Sequence, residues 1–137
     1  MRPPSIIVID DENIVRAFAR RLVTKAVPAA IVVDVASAEE GWELICAGGI
    51  DLVVTDCNLT GASGMDLVRN VREQKIPLPM IMISGSDRYR KEAEETGIDR
   101  FIEKRHLIDE LGSAIQELLR EGTRHANGVV AAAMPPR

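Results

Sequence analysis

Cysteine and histidine are scarce in this sequence, which has two of each among 137 residues. Cys46 and Cys57 have neither the spacing of zinc ligands nor the density of a disulfide scaffold. Reduced thiols in a cytoplasmic protein are therefore the simpler interpretation. His106 and His125 indicate nothing beyond packing or surface roles. The sequence gives no indication of a zinc site.

The sequence also lacks long apolar runs and an excess of positive charge. Residues 1–4 lead into an apolar run too short for a signal peptide, and no segment approaches the length of a membrane span. The 21 acidic residues outnumber the 17 basic ones and give a net charge of -4, which argues against a general nucleic-acid surface. We therefore expect a cytoplasmic protein that binds neither membranes nor nucleic acids directly.

The sequence does contain enough apolar material for one domain. Hydrophobic residues make up 46% of the chain, which can build one sizeable core but is too short for two ordinary domains. We place this domain at residues 1–121. Residues 122–137 are predicted to form a mostly disordered tail, in which only the apolar stretch 129–134 would dock on another surface.

Short apolar runs alternate with longer segments of helical periodicity, and this alternation indicates an α/β fold. Most of the runs are rich in Ile and Val and nearly continuous, which is typical of buried parallel strands. Right-handed crossovers between them predict a five-stranded doubly wound parallel sheet. The predicted strands are residues 5–10, 31–36, 51–56, 78–84 and 100–103.

Helical patterns fill the gaps between these runs. Residues 13–27 carry four apolar side chains at helical spacing, and Ser37 begins a capping box for the second helix. Residues 64–74 form the third predicted helix, and an apolar seam that starts at Leu107 indicates the fifth. Residues 86–96, the predicted fourth helix, have only two evident apolar anchors. The four apolar residues of the first helix are Ile14, Phe18, Leu22 and Ala26.

Polar side chains end four of the predicted strands: Asp10 and Asp11 the first, Asp56 the third, Ser84 the fourth and Lys104 the fifth. The carboxyl ends of the strands are where a doubly wound sheet binds its ligands. Three close carboxylates repel one another unless they are protonated or share a cation. Oxygen ligands that leave room for water suit Mg²⁺. The sequence therefore predicts a magnesium site on this rim.

Each of these features also has a simpler interpretation when it is taken alone. The acidic cluster after the first strand could cap the first helix and complement its dipole. Asp56 could be a turn residue, and Ser84 could belong to a strand exit that leads into a helix cap. Lys104 could be an ordinary exposed lysine, and Phe101 a core aromatic residue. Their shared position at strand ends favours one functional site over separate explanations.

These motifs resemble those of the receiver domains of two-component response regulators, including the single-domain chemotaxis type. The resemblance covers residues 5 to about 120. It implies a flavodoxin-like fold with the strand order 2-1-3-4-5. The residues on which the resemblance rests are the acidic pair after the first strand, Asp56 at the end of DLVVTD, Gly64 in the following segment, Ser84 in MIMISGS, and Phe101 and Lys104 in GIDRFIEK.

The resemblance implies a phosphorylation switch in two-component signal transduction. A sensor histidine kinase or a histidine phosphotransfer protein would offer the phosphoryl group, and Asp56 would attack it as the nucleophile. The domain would catalyse only its own phosphoryl transfer and slow dephosphorylation, so we do not expect an enzyme with another substrate. It would act on an unknown downstream protein, as a monomer or a weak phosphorylation-dependent dimer.

The resemblance also implies which residues bind the metal. Asp11 would bind Mg²⁺ directly, and Asp10 would orient the ion through water. Asp56 and the backbone carbonyl of Asn58 would supply further oxygen ligands. The bound metal would stabilise charge and position the phosphoryl oxygens.

Three further residues would respond to the phosphoryl group. Lys104 would pair with the phosphoryl oxygens, and Ser84 would turn its hydroxyl toward them. Phe101 would then move inward. Together these movements would repack the face formed by the fourth helix, the fifth strand and the fifth helix, which we expect to be the output surface.

The sequence departs from the family pattern at two positions. Family members usually have proline, joined by a cis peptide bond, after the active-site lysine, whereas Arg105 follows Lys104 here. A cis bond without proline costs about 2.5–4 kcal/mol, so either that cost is tolerated or the loop is rearranged. Thr60 stands where proline is common, which removes a rigid φ constraint from the loop after Asp56.

Three alternatives to a single-domain switch remain open. The chain could be a receiver fragment of a larger transcription regulator or hybrid kinase, although the 17 residues at 121–137 leave no room for a helix-turn-helix. A haloacid-dehalogenase-like phosphatase would need an acid two residues after its nucleophile, where this chain has Asn58. A flavodoxin-like flavin binder would need a phosphate loop after the first strand, where the acids would repel the phosphate.

Overall fold

The structure is a computed structural model that describes the backbone of residues 2–127 and the side chains as far as residue 122. Its strands are β1 (Ser5–Ile9), β2 (Ile31–Val35), β3 (Leu52–Asp56), β4 (Met80–Ser84) and β5 (Arg100–Glu103). They form one parallel sheet in the order β2-β1-β3-β4-β5. The fold class and the strand order expected from the sequence are therefore confirmed.

Helices connect the strands in the expected alternation. They are α1 (Asn13–Ala26), α2 (Ala38–Ala47), α3 (Gly64–Glu73), α4 (Arg90–Thr96) and α5 (Leu107–Asn127). Single turns of 3₁₀ helix over Asp87–Tyr89 and Lys104–His106 precede α4 and α5. Helix α4 is the shortest of the five, and Ala93 is its one buried residue, in agreement with its sparse apolar pattern.

Serine side chains begin two of these helices. The Ser37 hydroxyl accepts a hydrogen bond from the Glu40 amide at the start of α2, as the sequence predicts. At the start of α3, Ser63 and Asp66 form a complete capping box that the sequence analysis did not identify. This cap fixes the end of the loop that follows β3, because it satisfies amides that the first helical turn leaves free.

Helix α1 is present as predicted, but its buried stripe lies one residue further along the sequence than the predicted apolar seam. The seam residues Ile14 and Phe18 are 85% and 40% exposed, whereas Ala19 and Val23 are fully buried. Residues one position apart on a helix differ by about 100° around its axis, so both stripes have the same periodicity. The small Ala19 side chain allows close packing that the larger Phe18 would prevent.

The central strands are buried on both faces of the sheet. On one face, Ile7 and Ile9 belong to the core beneath α2, α3 and α4. On the other, Ile6 and Val8 belong to the core beneath α1 and α5. Burying each such side chain contributes about 1.5–3 kcal/mol, and a slip of one residue would exchange the two faces. The register at the carboxyl ends of β1 and β3 is therefore tightly fixed.

Helix α5 extends to Asn127, beyond residue 121, where the sequence analysis placed the end of the domain. The segment 117–127 contains no proline, and Gly122 is its only glycine, so nothing in it forces the helix to end earlier. The predicted docking stretch 129–134 lies outside the described residues. Within residues 2–127, no helix is long and apolar enough to cross a membrane.

Candidate functional site

Three carboxylates meet at the carboxyl ends of β1 and β3, which are neighbours in the sheet. Asp10 and Asp11 follow β1, and Asp56 is the last residue of β3. One carboxylate oxygen from each lies within 4.8 Å of the others. Asp10 and Asp56 are 0% and 2% exposed, and Asp11 is partly exposed. The register of two buried strands thus brings together the acids that the sequence singles out.

Two oxygens of this cluster are buried without a hydrogen-bond partner among the described residues: Asp10 Oδ2 and Asp56 Oδ1. The other oxygen of Asp10 accepts a hydrogen bond of 2.9 Å from the Glu12 amide. A buried charged oxygen without a partner is costly, and proteins relieve that cost by pairing the charge or by binding a metal. These two oxygens, which accept no hydrogen bond, therefore suit a cation with oxygen ligands, such as Mg²⁺.

Lys104 is the basic side chain of this site. Its Nζ lies 3.4 Å from Asp56 Oδ1, 3.9 Å from Asp10 Oδ2 and 3.8 Å from Glu12 Oε1. Every peptide bond among the described residues is trans, including the bond between Lys104 and Arg105. The 3₁₀ turn that starts at Lys104 brings the ammonium to the carboxylates without the family's cis bond.

Burial, with a smaller contribution from neighbouring negative charge, raises the pKa of the two buried acids. Burial raises the pKa of Asp56 to about 6, the charge of Asp10 acts in the same direction, and the Lys104 ammonium opposes both. Burial also raises the pKa of Asp10, against the hydrogen bond from the Glu12 amide and the charge of Lys104. A single ammonium therefore does not balance the cluster, and a proton or a cation would stabilise it further.

The loop that follows β3 is held close to the carboxylates near its middle and at its end. A Cβ atom added to Gly64 would lie 2.1 Å from the backbone oxygen of Asp56, so only glycine allows this approach. Near the middle of the loop, the Thr60 amide and hydroxyl both donate hydrogen bonds to Asp11. Asn58 is exposed in the same loop, and its role as a metal ligand through the backbone carbonyl stays a prediction.

Ser84 lies on β4, the strand next to β3, and Phe101 lies on β5, the strand beyond it. Ser84 ends β4, is fully buried, and accepts a hydrogen bond of 3.2 Å from the Ser86 amide through its hydroxyl. Phe101 lies on β5 and is buried in the core beneath α4. The Arg90 guanidinium stacks over its ring at 4.8 Å from the centroid, and Asp87 accepts a hydrogen bond of 2.6 Å from the same guanidinium. The first turn of α4 is thus in direct contact with Phe101.

The sequence analysis missed two contacts at this site. It treated Thr60 only as a departure from the family pattern, although its side chain binds a carboxylate of the cluster. It did not identify Arg90 as the partner of Phe101. A polar residue in place of the expected proline was the available signal for Thr60. Arg90 carries no distinguishing signal, because an arginine at the start of a helix is common on protein surfaces.

Comparison with known proteins identifies the class to which this arrangement belongs. The family model described as the response regulator receiver domain matches residues 6–116. The chain therefore belongs to the family of response regulator receiver domains of two-component systems.

Several curated relatives are response regulators of greater length. The two-component response regulator PhoP of Pseudomonas aeruginosa is 28% identical over 130 residues, which cover 93% of this chain and 56% of that protein. The cell cycle transcriptional regulator CtrA of Caulobacter vibrioides is 32% identical over 94 residues, which cover 67% of this chain and 41% of that protein. The chain spans about half the length of the curated relatives it matches.

Solved structures with the same fold include isolated receiver domains. A CheY-like receiver domain protein from Methanospirillum hungatei has a TM-score of 0.80 at 22% identity, covering 90% of this chain and 98% of that one. The response regulator TrrA from Thermotoga maritima, solved in complex with Mg²⁺ and BeF, has a TM-score of 0.73 at 25% identity, covering 84% of this chain and 98% of that one. The fold is thus that of CheY-like receivers.

Proposed function

We propose that this domain is a phosphorylation switch that accepts a phosphoryl group on Asp56 from a phosphohistidine of a histidine kinase or a phosphotransfer protein. The observation that carries the proposal is the buried Asp56 Oδ1, which accepts no hydrogen bond among the described residues and lies 3.4 Å from the Lys104 ammonium. A nucleophilic carboxylate needs a free oxygen and nearby positive charge to receive a phosphoryl group.

The residues present suit Mg²⁺ as the cofactor of this reaction. Asp10, Asp11 and Asp56 would hold the ion, together with the backbone carbonyl of Asn58. When bound, Mg²⁺ would offset the negative charge of the carboxylates and of the phosphoryl oxygens. The complex of TrrA with Mg²⁺ and BeF supports this choice of metal for a related domain.

In the proposed reaction, a carboxylate oxygen of Asp56 forms a bond to phosphorus. The bond between phosphorus and the histidine nitrogen of the donor breaks, and its electron pair returns to the imidazole. Lys104 neutralises oxygens of the transferred group. No general acid is required from this chain, so an amide at Asn58 suits the reaction. The domain would catalyse this transfer and a slow hydrolysis, and nothing else.

Two exposed isoleucines near the starts of α1 and α5 are candidate contacts for the donor. Helices α1 and α5 begin at the same rim as the carboxylates and pack on one another through a shared core. Near their starts, Ile14 is 85% and Ile108 is 72% exposed, and neither isoleucine contributes to that core. Exposed apolar side chains mark a protein-binding surface when they form a contiguous patch. We propose that the phosphohistidine donor contacts both.

The signal would be transmitted to a downstream protein by the face that α4, β5 and α5 form. A phosphoryl group on Asp56 would attract the Ser84 hydroxyl at the end of the neighbouring strand. The repacking around Ser84 and Phe101 would reach α4 through Arg90, which contacts the Phe101 ring and is bound to Asp87. A downstream protein that binds this face would then detect the phosphorylated state.

The receiver domain of a longer transcription regulator or hybrid kinase is the second candidate. It is favoured by the observation that curated relatives such as PhoP are about twice as long as the matched region. The chemistry at Asp56 would be the same, and only the recipient of the signal would differ. Membership of the receiver family leaves no support for a dehalogenase-like phosphatase.

Incubation with labelled phosphoramidate, a small donor with a phosphorus–nitrogen bond, tests the proposal. We expect the wild type to incorporate label with Mg²⁺ present and not in chelator. Asp56→Asn should incorporate none. Asp109→Asn is the matched control, since Asp109 is exposed on α5 and makes no ion pair among the described residues. Label in Asp56→Asn at the wild-type rate would show that another residue is the acceptor.

A further inference from the structure

We propose that Thr60 is a positioning residue that orients Asp11 for metal binding. The inference rests on the proposed Mg²⁺ site. The Thr60 amide donates to Asp11 Oδ2 at 3.0 Å, and the Thr60 hydroxyl donates to the same oxygen at 2.9 Å. Among the described residues, no other group donates a hydrogen bond to the Asp11 side chain.

Two donors on one oxygen leave the other oxygen free. A carboxylate oxygen accepts through two lone pairs, so the Thr60 amide and hydroxyl together occupy Asp11 Oδ2. They also fix the rotation of the carboxylate plane, which Asp11, as a partly exposed loop residue, would otherwise not maintain. The oxygen Oδ1 is then held in place as a ligand with a single orientation. Metal-ligating carboxylates are commonly held by such outer partners.

The loop that carries Thr60 is itself anchored, which makes it a suitable support. The Ala62 amide donates a hydrogen bond of 3.2 Å to Glu39 Oε2 on α2. Gly61 has a φ of 85°, a value that favours glycine and allows the chain to turn between these two attachments. The loop therefore bridges Asp11 on one side and α2 on the other. Little additional ordering is needed when the metal binds.

Proline, the residue that the family resemblance leads one to expect at this position, would provide neither donor. It has no backbone N–H and no hydroxyl. The hydrogen bonds to Asp11 are therefore a property of chains that, like this one, have a threonine or a similar donor here. This contact would tune the affinity of the site for Mg²⁺ through Asp11, although Thr60 does not bind the ion itself.

Calorimetric titration of Mg²⁺ into chelator-stripped protein tests the inference. Thr60→Val removes the hydroxyl while keeping the shape and the amide, and we expect Mg²⁺ to bind about tenfold more weakly, the low end of the effect of losing an outer partner. Thr60→Ser keeps the hydroxyl and should restore an affinity close to wild type. Thr24→Val is the matched control, because the exposed Thr24 hydroxyl bonds only to a backbone oxygen of its own helix.

The outcomes separate this inference from the proposed function. Wild-type protein that binds no Mg²⁺ would overturn the metal site, and the role of Thr60 with it. Wild-type protein that binds Mg²⁺ while Thr60→Val binds it equally well, or more tightly, would overturn only the role of Thr60. In chelator, Thr60→Val should still unfold in one cooperative transition, at a melting temperature lowered by the loss of one hydrogen bond to a carboxylate. If Thr60→Val does not fold, the comparison is made with Thr60→Ala, again against Thr60→Ser.

Discussion

At the scale of single residues, the site concentrates negative charge where the protein can least solvate it. Asp10 and Asp56 are buried, and each has an oxygen without a hydrogen bond among the described residues. The Lys104 ammonium contacts both acids but is shared with Glu12. Folding thus brings together charges that the unfolded chain keeps apart, and the resulting repulsion is stored in the metal-free protein.

Asp10→Asn should therefore raise the melting temperature of the metal-free protein. The asparagine oxygen can still accept from the Glu12 amide, while one negative charge beside Asp56 is lost. The gain should shrink when Mg²⁺ is added, because the ion stabilises only the wild type by binding. Thermal melts with chelator and with Mg²⁺ measure both effects. A variant no more stable than wild type in chelator would remove the support for stored repulsion.

Stability should also depend on pH through Asp56. Its folded pKa of about 6 is above the ordinary value of 3.8, so the folded protein binds this proton more tightly than the unfolded chain. The resulting stabilisation is complete below the unfolded pKa and is lost as the pH rises through the folded one, by at most about 3 kcal/mol. Asp10, whose pKa is also raised, acts in the same direction.

Urea unfolding of wild type and Asp56→Asn in chelator, between about pH 4 and pH 7, measures this contribution. Asparagine does not titrate, so the stability of the wild type relative to the variant should fall over this range. A difference that stays constant with pH would mean that the pKa of Asp56 is the same in the folded and unfolded protein.

At the scale of elements, strand ends were predictable and side-chain contacts between loops were not. The continuous apolar runs define where β1 and β3 stop, and the polar residues that follow must lie at the rim of a parallel sheet. The predicted position of the buried stripe of α1 was wrong by one residue, because two neighbouring stripes on a helix have the same period. The bonds of Thr60 to Asp11 depend on the path of the loop, which no periodicity describes.

Gly64→Ala should destabilise the protein by about 1–3 kcal/mol. The new Cβ would lie 2.1 Å from the Asp56 backbone oxygen, so β3 and α3 would have to move apart. Gly122→Ala on α5 is the matched control, because a Cβ there meets no atom within 4 Å. This control should be slightly stabilising, since alanine favours a helix. Chemical denaturation of both variants checks the prediction, and equal stabilities would contradict the close approach.

Lys104→Ala should fold and, with Mg²⁺ supplying the positive charge that the transfer needs, still accept a phosphoryl group, but it should fail to transmit the change. Lys104 contacts the site through its ammonium alone, and the core beneath α5 does not include it. Amide chemical shifts of α4 and α5, recorded before and after phosphorylation, measure the transmission. If phosphorylation changes the amide shifts of this variant as much as those of the wild type, Lys104 is not the link between the phosphoryl group and the output face.

At the scale of the whole molecule, one rigid sheet supplies nearly all of the site. Two cores fix the sheet from both faces, and the residues that would react or bind metal lie at its carboxyl rim or in the loops attached to it. Most of the free energy of folding therefore comes from the strands and helices, and the rim can tolerate unfavourable charge. In the proposed switch, the conformational response would fall to α4, whose one buried residue is Ala93.

Mass-spectrometric peptide mapping after incubation with phosphoramidate and Mg²⁺ tests the proposed switch most directly, because it identifies the modified residue. We expect one added phosphoryl group per chain, located on Asp56, and unmodified protein when a chelator replaces Mg²⁺. A phosphoryl group on any other residue, or modification of Asp56 that is equally fast in chelator, would contradict a metal-dependent phosphoacceptor at the end of β3.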